Sequence, residues 1–160
     1  LFVHTGATDI SIASAGRDIL YSSFNVAGPG TLELTAGRNI QMDDQVGVNS
    51  LGAVAAGDNR AGASIVLQAG VGPNGPDYRR FVEAYLNPAN LAQPGESIQG
   101  SKVAKTYERE LLAWLVERFG FTGDTEQART YYAALPAEQQ RVFARDVYFA
   151  ELKAAGREYN

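Results

Sequence analysis

Ala15-Gly16-Arg17-Asp18-Ile19 recurs as Ala36-Gly37-Arg38-Asn39-Ile40, 21 residues later. A weaker third copy, Ile65-Val66-Leu67-Gln68-Ala69-Gly70, follows the second after 33 residues, counted between Gly37 and Gly70. Each copy contains or follows a short alternating apolar stretch: Ile10-Ser11-Ile12, Leu32-Glu33-Leu34 and Ile65-Val66-Leu67. Strands this short do not stand alone, and a period near 20 residues is the mark of a solenoid in which each copy buries its neighbour. Because each turn is mostly strand, the repeat predicts the C-terminal rungs of a right-handed parallel β-helix, with corresponding strands roughly 4.8 Å apart.

Within a rung, Ile and Leu at alternate positions are expected to point into a narrow core. Gly16, Gly37 and Gly70 mark the turn after the strand, where positive φ is tolerated. Asp18 and Asn39 are placed to hydrogen-bond the turn backbone. Counted from the glycine, Ile10 and Ile12 are one residue out of phase with Leu32 and Leu34, so the reading requires a β-bulge at Ala13-Ser14. The longer third interval implies an insertion of about a dozen residues within Met42–Ala63, a loop packing its own Val and Leu residues. The three strands are expected parallel and in sequence order, with Ile10, Ile12, Leu32, Leu34, Ile65 and Leu67 buried.

The pattern changes after Val71-Gly72-Pro73-Asn74-Gly75-Pro76, a dense cluster of turn residues. Residues 1–75 are assigned to the β-helix rungs and 76–160 to an α-helical cap packed on them, giving a β + α chain. In the second half, Asp77–Leu86 reads as a short helix stopped by Pro88. Ser101 is expected to cap a helix to about Phe119, with Gly120 as its end. Asp124, with Gln127 three residues on, caps a third helix to about Leu135. Pro136 opens a fourth, to about Ala155 with Gly156 as its stop, burying Val142, Phe143, Val147, Phe149 and Leu152. The physical case for a cap is that exposed strand edges and apolar core at the end of a solenoid need covering.

The 160 residues are 45% hydrophobic, enough for a core, and suit one domain or two small ones. A net charge of −4 argues against nucleic acid and anionic membrane, which require clustered Lys and Arg. With no cysteine there is no disulfide framework, thiolate metal site or cysteine nucleophile. The chain opens on Leu1-Phe2-Val3-His4 without a basic leader and reads as a piece of a longer protein whose targeting signal lies upstream.

Residues with chemical potential do not converge. His4 is the one histidine, so a Ser-His-Asp arrangement would have to use it, yet it stands near the start of the chain. Asp43 and Asp44 with Asp58 suggest calcium but lack the fixed ligand spacing of a calcium loop, and read as a solvated acidic loop. Glu108 and Glu110 point to different helix faces, unlike a glycosidase pair. Tyr131-Tyr132 and Tyr148-Phe149 suit sugar stacking or a partner protein, but at helical spacing aromatics read as core. Arg17 and Arg38 should lie one above the other, serving an acidic ligand or a neighbouring carboxylate such as Asp18. Gly70-Val71-Gly72 lacks the third glycine and the lysine of a phosphate loop. Catalytic, cofactor-binding and metal residues are therefore all assigned as none, and no cofactor is expected.

The Ala-Gly-Arg-Asp/Asn-Ile copies resemble the haemagglutinin repeats of filamentous-haemagglutinin-type exoproteins. An ordered set of motifs extends the resemblance over nearly the whole chain: Val26-Ala27-Gly28-Pro29-Gly30-Thr31-Leu32-Glu33-Leu34, Gly62-Ala63-Ser64-Ile65, Gly70-Val71, Asp77-Tyr78 with Phe81 and Tyr85-Leu86, Leu135-Pro136-Ala137-Glu138-Gln139-Gln140, and Phe149-Ala150-Glu151-Leu152 with Gly156-Arg157-Glu158. These are similar to an uncharacterised domain of that family's C-terminal region. The resemblance implies a large secreted or outer-membrane-associated surface protein exported by two-partner secretion and linked to adhesion and biofilm formation. A surface receptor on host or bacterial cells would be its partner, and its outer-membrane secretion partner would act on an N-terminal region outside this chain. The leading expectation is a structural or adhesive segment that ends and caps the shaft, and not an enzyme. The alternatives are a glycan- or protein-binding anchoring module in the helical half, and a polysaccharide-degrading β-helix enzyme.

Overall fold

The structure, a computed structural model, describes residues 1–158. The chain divides into two compact units, Leu1–Pro76 and Asp77–Asn160. The first contains eight strands: β1 (Phe2–Val3), β2 (Ile10–Ala15), β3 (Ile19–Leu20), β4 (Phe24–Ala27), β5 (Thr31–Ala36), β6 (Ile40–Gln41), β7 (Val48–Ser50) and β8 (Ser64–Gln68). All pairings are parallel and join strands three apart in sequence, giving the sheets β1-β4-β7, β2-β5-β8 and β3-β6.

The expectation of C-terminal rungs of a right-handed parallel β-helix followed by an α-helical cap is corrected by this topology. What forms among the described residues is a mixed α/β arrangement of three short parallel sheets, with three, three and two strands, and four α-helices, and no β-helix or solenoid is found among them. The physical reason lies in the repeat. Only two copies are complete, whereas stacked repeats need about three for stability. The third passage supplies β7 and β8 but no third strand to the β3-β6 sheet.

The pairing of β2 with β5 runs without interruption from Ile10 on Thr31 to Ala15 on Ala36. No bulge interrupts it, so the expected register of the first copy is wrong. Ser11, Ala13 and Ala15 share the face of Leu32, Leu34 and Ala36, while Ile10 and Ile12 share the face of Thr31 and Glu33. The strands do lie parallel in the order β2-β5-β8. Burial follows strand position: all six residues of the central β5 are buried, Ile10, Ile12 and Ile65 are half-buried, and Leu67 on the edge strand is 53% exposed. The core of this unit is Ile19, Val26, Leu32, Leu34, Ala36 and Ala63.

The Met42–Ala63 interval is not one loop, because β7 lies inside it and extends the β4 edge. Val48 packs against the core, but Leu51 and Val54 are exposed, contrary to the expected packing. Gly70 has the positive φ expected of it (73°). Gly37 does not; a Cβ there would overlap the Gly16 carbonyl oxygen and meet that of Gly72 at 3.0 Å. Close stacking of the copies, not dihedral freedom, requires glycine at that position.

The second unit contains α1 (Tyr78–Leu86), α2 (Glu108–Phe119), α3 (Thr125–Ala134) and α4 (Ala137–Glu158). Asp77 caps α1 by accepting the Arg80 N–H, and Pro88 opens a short 3-10 turn. Asp124 and Gln127 form the expected reciprocal capping box on α3. Gly120 ends α2 in the left-handed conformation at φ 64°. Two boundaries differ from expectation. Residues 101–107 are not helical, because Val103 forms a parallel bridge with Leu91 and exchanges backbone hydrogen bonds with Asn90 and Ala92. Gly156 does not stop α4; it lies inside the helix.

The helices bury their stripes among themselves. Val82, Leu86, Leu111, Leu115, Tyr132, Phe143 and Val147 belong to one core within this unit. Leu111 and Leu115 have no exposed surface, and burial of each contributes roughly 1.5–3 kcal/mol. Val142 is half-buried, and Phe149 and Leu152, also expected inside, are 43% and 50% exposed.

Candidate functional site

The turn of the repeat is an internal electrostatic joint. Asp18 of the first copy accepts from Arg38 and Asn39 of the second: Arg38 Nη2 pairs with Oδ2, Arg38 Nε reaches Oδ1 at 3.3 Å, and the Asn39 side-chain amide reaches Oδ1 at 3.0 Å. The Arg38 N–H also donates to the Arg17 carbonyl. The Arg38 guanidinium, aided by Asn39, holds the Asp18 carboxyl below the usual aspartate range. Of the two roles considered for the arginines, Arg38 takes the neighbouring carboxylate.

His4 is buried and has both ring nitrogens engaged. Nδ1 lies 2.8 Å from the Pro29 carbonyl oxygen and Nε2 2.8 Å from Ser11 Oγ. A carbonyl only accepts, so Nδ1 carries a hydrogen and donates to Pro29. The Ser-His spacing is that of a nucleophile and base. The group behind the imidazole, however, is a backbone carbonyl. The nearby Asp9 carboxylate accepts the Thr5 and Gly6 N–H groups, both at 2.8 Å. His4 therefore ties the start of the chain to β2 and to the Gly28-Pro29-Gly30 turn. At Gly28, with φ 88°, an added Cβ would overlap the His4 carbonyl oxygen.

Asp43 and Asp58 of the first unit are engaged locally. Asp43 accepts the Gln45 and Val46 N–H groups at 2.9 and 3.1 Å. Asp58 is bidentate with Arg60 at 2.9 and 2.8 Å, and Arg60 also donates to the Thr5 carbonyl. The Arg60 guanidinium lowers the Asp58 carboxyl to about 2. Among the described residues, no three His, Asp or Glu side chains gather to hold a metal. In the Gly70-Val71-Gly72 segment, Val71 and Gly72 donate to the carbonyls of Ala36 and Gly37.

In the helical unit, Glu110 pairs with Lys105, and Glu108 accepts from Thr106. Tyr132 is core, its hydroxyl donating to the Gln140 carbonyl at 2.7 Å. Tyr148 packs edge-on against Tyr78 and Phe81. Tyr131 and Phe149 are partly exposed but lean on rings of their own unit, Phe121 and Tyr148.

Two cavities lie between helices. One, of about 550 Å³, opens between α1, α3 and the first turn of α4, with Val82, Leu86 and Tyr132 as its floor and Arg79 and Arg129 on its wall. The other, of about 380 Å³, lies between α2 and α4 over Trp114 and Phe143, rimmed by Glu117 and Asp146. Burial raises the Asp146 carboxyl above the usual range, against the opposing pull of Arg145 and Arg118. Sequence reasoning singled out neither Arg129 nor Asp146. Each is one charged residue on a polar helix stretch, and nothing local shows that other helices enclose a space beside it.

Among the described residues, no helix is long and apolar enough to cross a membrane. No family model, no curated protein and no solved structure matches this chain.

Proposed function

We propose that this chain is a non-enzymatic structural and adhesive segment of a large secreted or surface-exposed bacterial exoprotein of the filamentous haemagglutinin type. One observation carries the reading. The residues that make the repeat recognisable are spent on contacts between one copy and the next: Asp18 on Arg38 and Asn39, and Gly37 against Gly16. A repeat used in this way builds a scaffold and leaves its side chains little capacity for chemistry. The ring of His4, held at both nitrogens, supports the same reading. The resemblance of the ordered motifs supplies the exported, adhesive context. Capping of a β-helical shaft is no part of the proposal, because no solenoid forms.

The test is cellular. Antibody raised against the chain should label intact producing cells or their culture supernatant, and beads coated with the purified chain should bind host or bacterial cell surfaces saturably. Labelling that requires lysis, with coated beads no stickier than bare ones, would refute the proposal.

A further inference from the structure

The β2-β5-β8 sheet ends at β8 in an open edge. The Ser64 N–H donates to the Gly30 carbonyl at 2.8 Å, and β8 pairs with β5 from Ser64 on Thr31 to Gln68 on Thr35. In a parallel ladder the backbone groups face a given neighbour at every second residue. Ser64, Val66 and Gln68 therefore turn theirs towards β5, and Ile65 and Leu67 turn theirs away. On that side no strand pairs with β8 among the described residues, and no hydrogen bond reaches the N–H or C=O of Ile65 or Leu67.

Sheet edges are commonly blunted by charge or proline. The run Ala63–Ala69 contains no charged residue, no proline and no glycine, the composition of a segment that pairs readily with another strand. Its side chains are also left uncovered. Leu67 is 53% exposed, although Leu34 beside it on β5 is fully buried. The other open edge of this sheet, β2, differs: its large side chains, Ile10 and Ile12, are half-buried, and Asp9 directly precedes it.

We propose that β8 pairs antiparallel with β8 of a second copy of this chain, about a two-fold axis through Val66. That register is self-complementary. Ile65 lies opposite Leu67 of the second copy, and the two exchange both N–H···O=C bonds; the axis repeats the exchange, so every backbone group turned outward at Ile65 and Leu67 finds a partner. The side chains match as well. Leu67 is covered by the Ile65 opposite it, Val66 meets its own copy on the other face, and Ser64 meets Gln68. Like charges do not oppose one another, because the segment carries none. An interface of one strand pair is small, so the copies associate at high protein concentration and separate on dilution. The pairing is independent of the adhesive reading, since it requires only the strand edge.

Sedimentation of the full chain over a range of concentrations should show a mass rising from one chain towards two. Leu67→Pro removes an outward N–H and none of the bonds to β5, so it should weaken association at least about tenfold with the circular dichroism spectrum kept. Leu67→Lys, at a position already exposed, should weaken it similarly. Single cysteines read the register, since the native chain has none. Val66 and its copy form a non-hydrogen-bonded pair with Cα atoms roughly 4.5 Å apart, within the reach of a disulfide. Val66→Cys should therefore give a disulfide-linked dimer on mild oxidation. Ser64→Cys, held roughly 13 Å from its copy along the strand, should not. A native chain that stays monomeric at every concentration would leave the edge to a foreign strand and overturn the proposal. Undiminished association of both Leu67 variants, or equal cross-linking of the two cysteine variants, would overturn it as well. Should Leu67→Pro not fold, Leu67→Lys and the two cysteine variants still decide it.

Discussion

A methyl group added at Gly37 would collide with the carbonyl oxygen of Gly16, whereas one added at Gly47 meets nothing within 4 Å. Gly37→Ala should therefore cost about 1–3 kcal/mol, the usual range for forcing atoms into a packed space. Gly47→Ala should be neutral or stabilise by up to about 1 kcal/mol, through reduced freedom of the unfolded chain. Urea unfolding of the two variants separates the cases, and equal midpoints would show that the copies do not stack this closely. The acidic joints offer a second test at this scale. With Arg60 bidentate on it, the Asp58 carboxyl lies at about 2. Its pKa is depressed on folding, so its contribution to stability is present above about pH 3.9, the ordinary value, and is lost as the pH falls through about 2. Carboxylate NMR should show that low midpoint, and Arg60→Gln should return it towards the ordinary value. An unchanged midpoint in the variant would mean that the pair does not persist in solution.

At the scale of elements, what a residue contributes depends on which strand or helix end it occupies. Leu34 and Leu67 are directly paired across β5 and β8, yet Leu34 is fully buried and Leu67 is 53% exposed. Leu34→Ala should cost about 2–5 kcal/mol, and Leu67→Ala less than about 0.5 kcal/mol. A large loss at Leu67 would mean that a further element covers the β8 edge. Helix ends give the parallel contrast. Asp124 accepts the Gln127 N–H at 2.9 Å while Gln127 reaches back to Asp124, so Asp124→Ala should cost about 0.5–2 kcal/mol. Ser101 precedes no helix, and Ser101→Ala should fall within about 0.5 kcal/mol of the native chain. Thermal unfolding followed by circular dichroism reads both.

On the scale of the whole molecule, the helical core carries a pH limit. Tyr132 is pushed above the ordinary tyrosine range by burial, and Tyr107 by burial together with its hydrogen bond to Glu151 at 2.5 Å. A phenol whose pKa is raised on folding stabilises fully below about pH 10, the unfolded value, and loses that contribution as the pH rises through the folded value. In an alkaline titration Tyr107 and Tyr132 should therefore ionise only as helical circular dichroism is lost. One smooth tyrosinate titration with the helices intact would contradict the packing of α1, α2 and α4 around these rings.

Local signals were legible in the chain because their partners lie within a few residues. The capping box at Asp124, the left-handed glycine at position 120 and the helix before Pro88 all follow from short-range pattern, whereas the parallel order of the Ile10, Leu32 and Ile65 strands follows from the repeat, whose copies pair over 21 and 33 residues. The repeat also announced that its copies would pair. It did not reveal their register, since a one-residue shift exchanges the faces of every side chain and only the uninterrupted β2–β5 ladder shows which face Ile10 and Ile12 take. Nor did it limit the stack. Two complete copies and part of a third produced three short sheets where a solenoid was expected. The cavity around Arg129 was invisible for a related reason: Val82, Arg129 and Gln140 belong to three helices, and a space enclosed by residues so far apart in sequence exists only after the helices have packed.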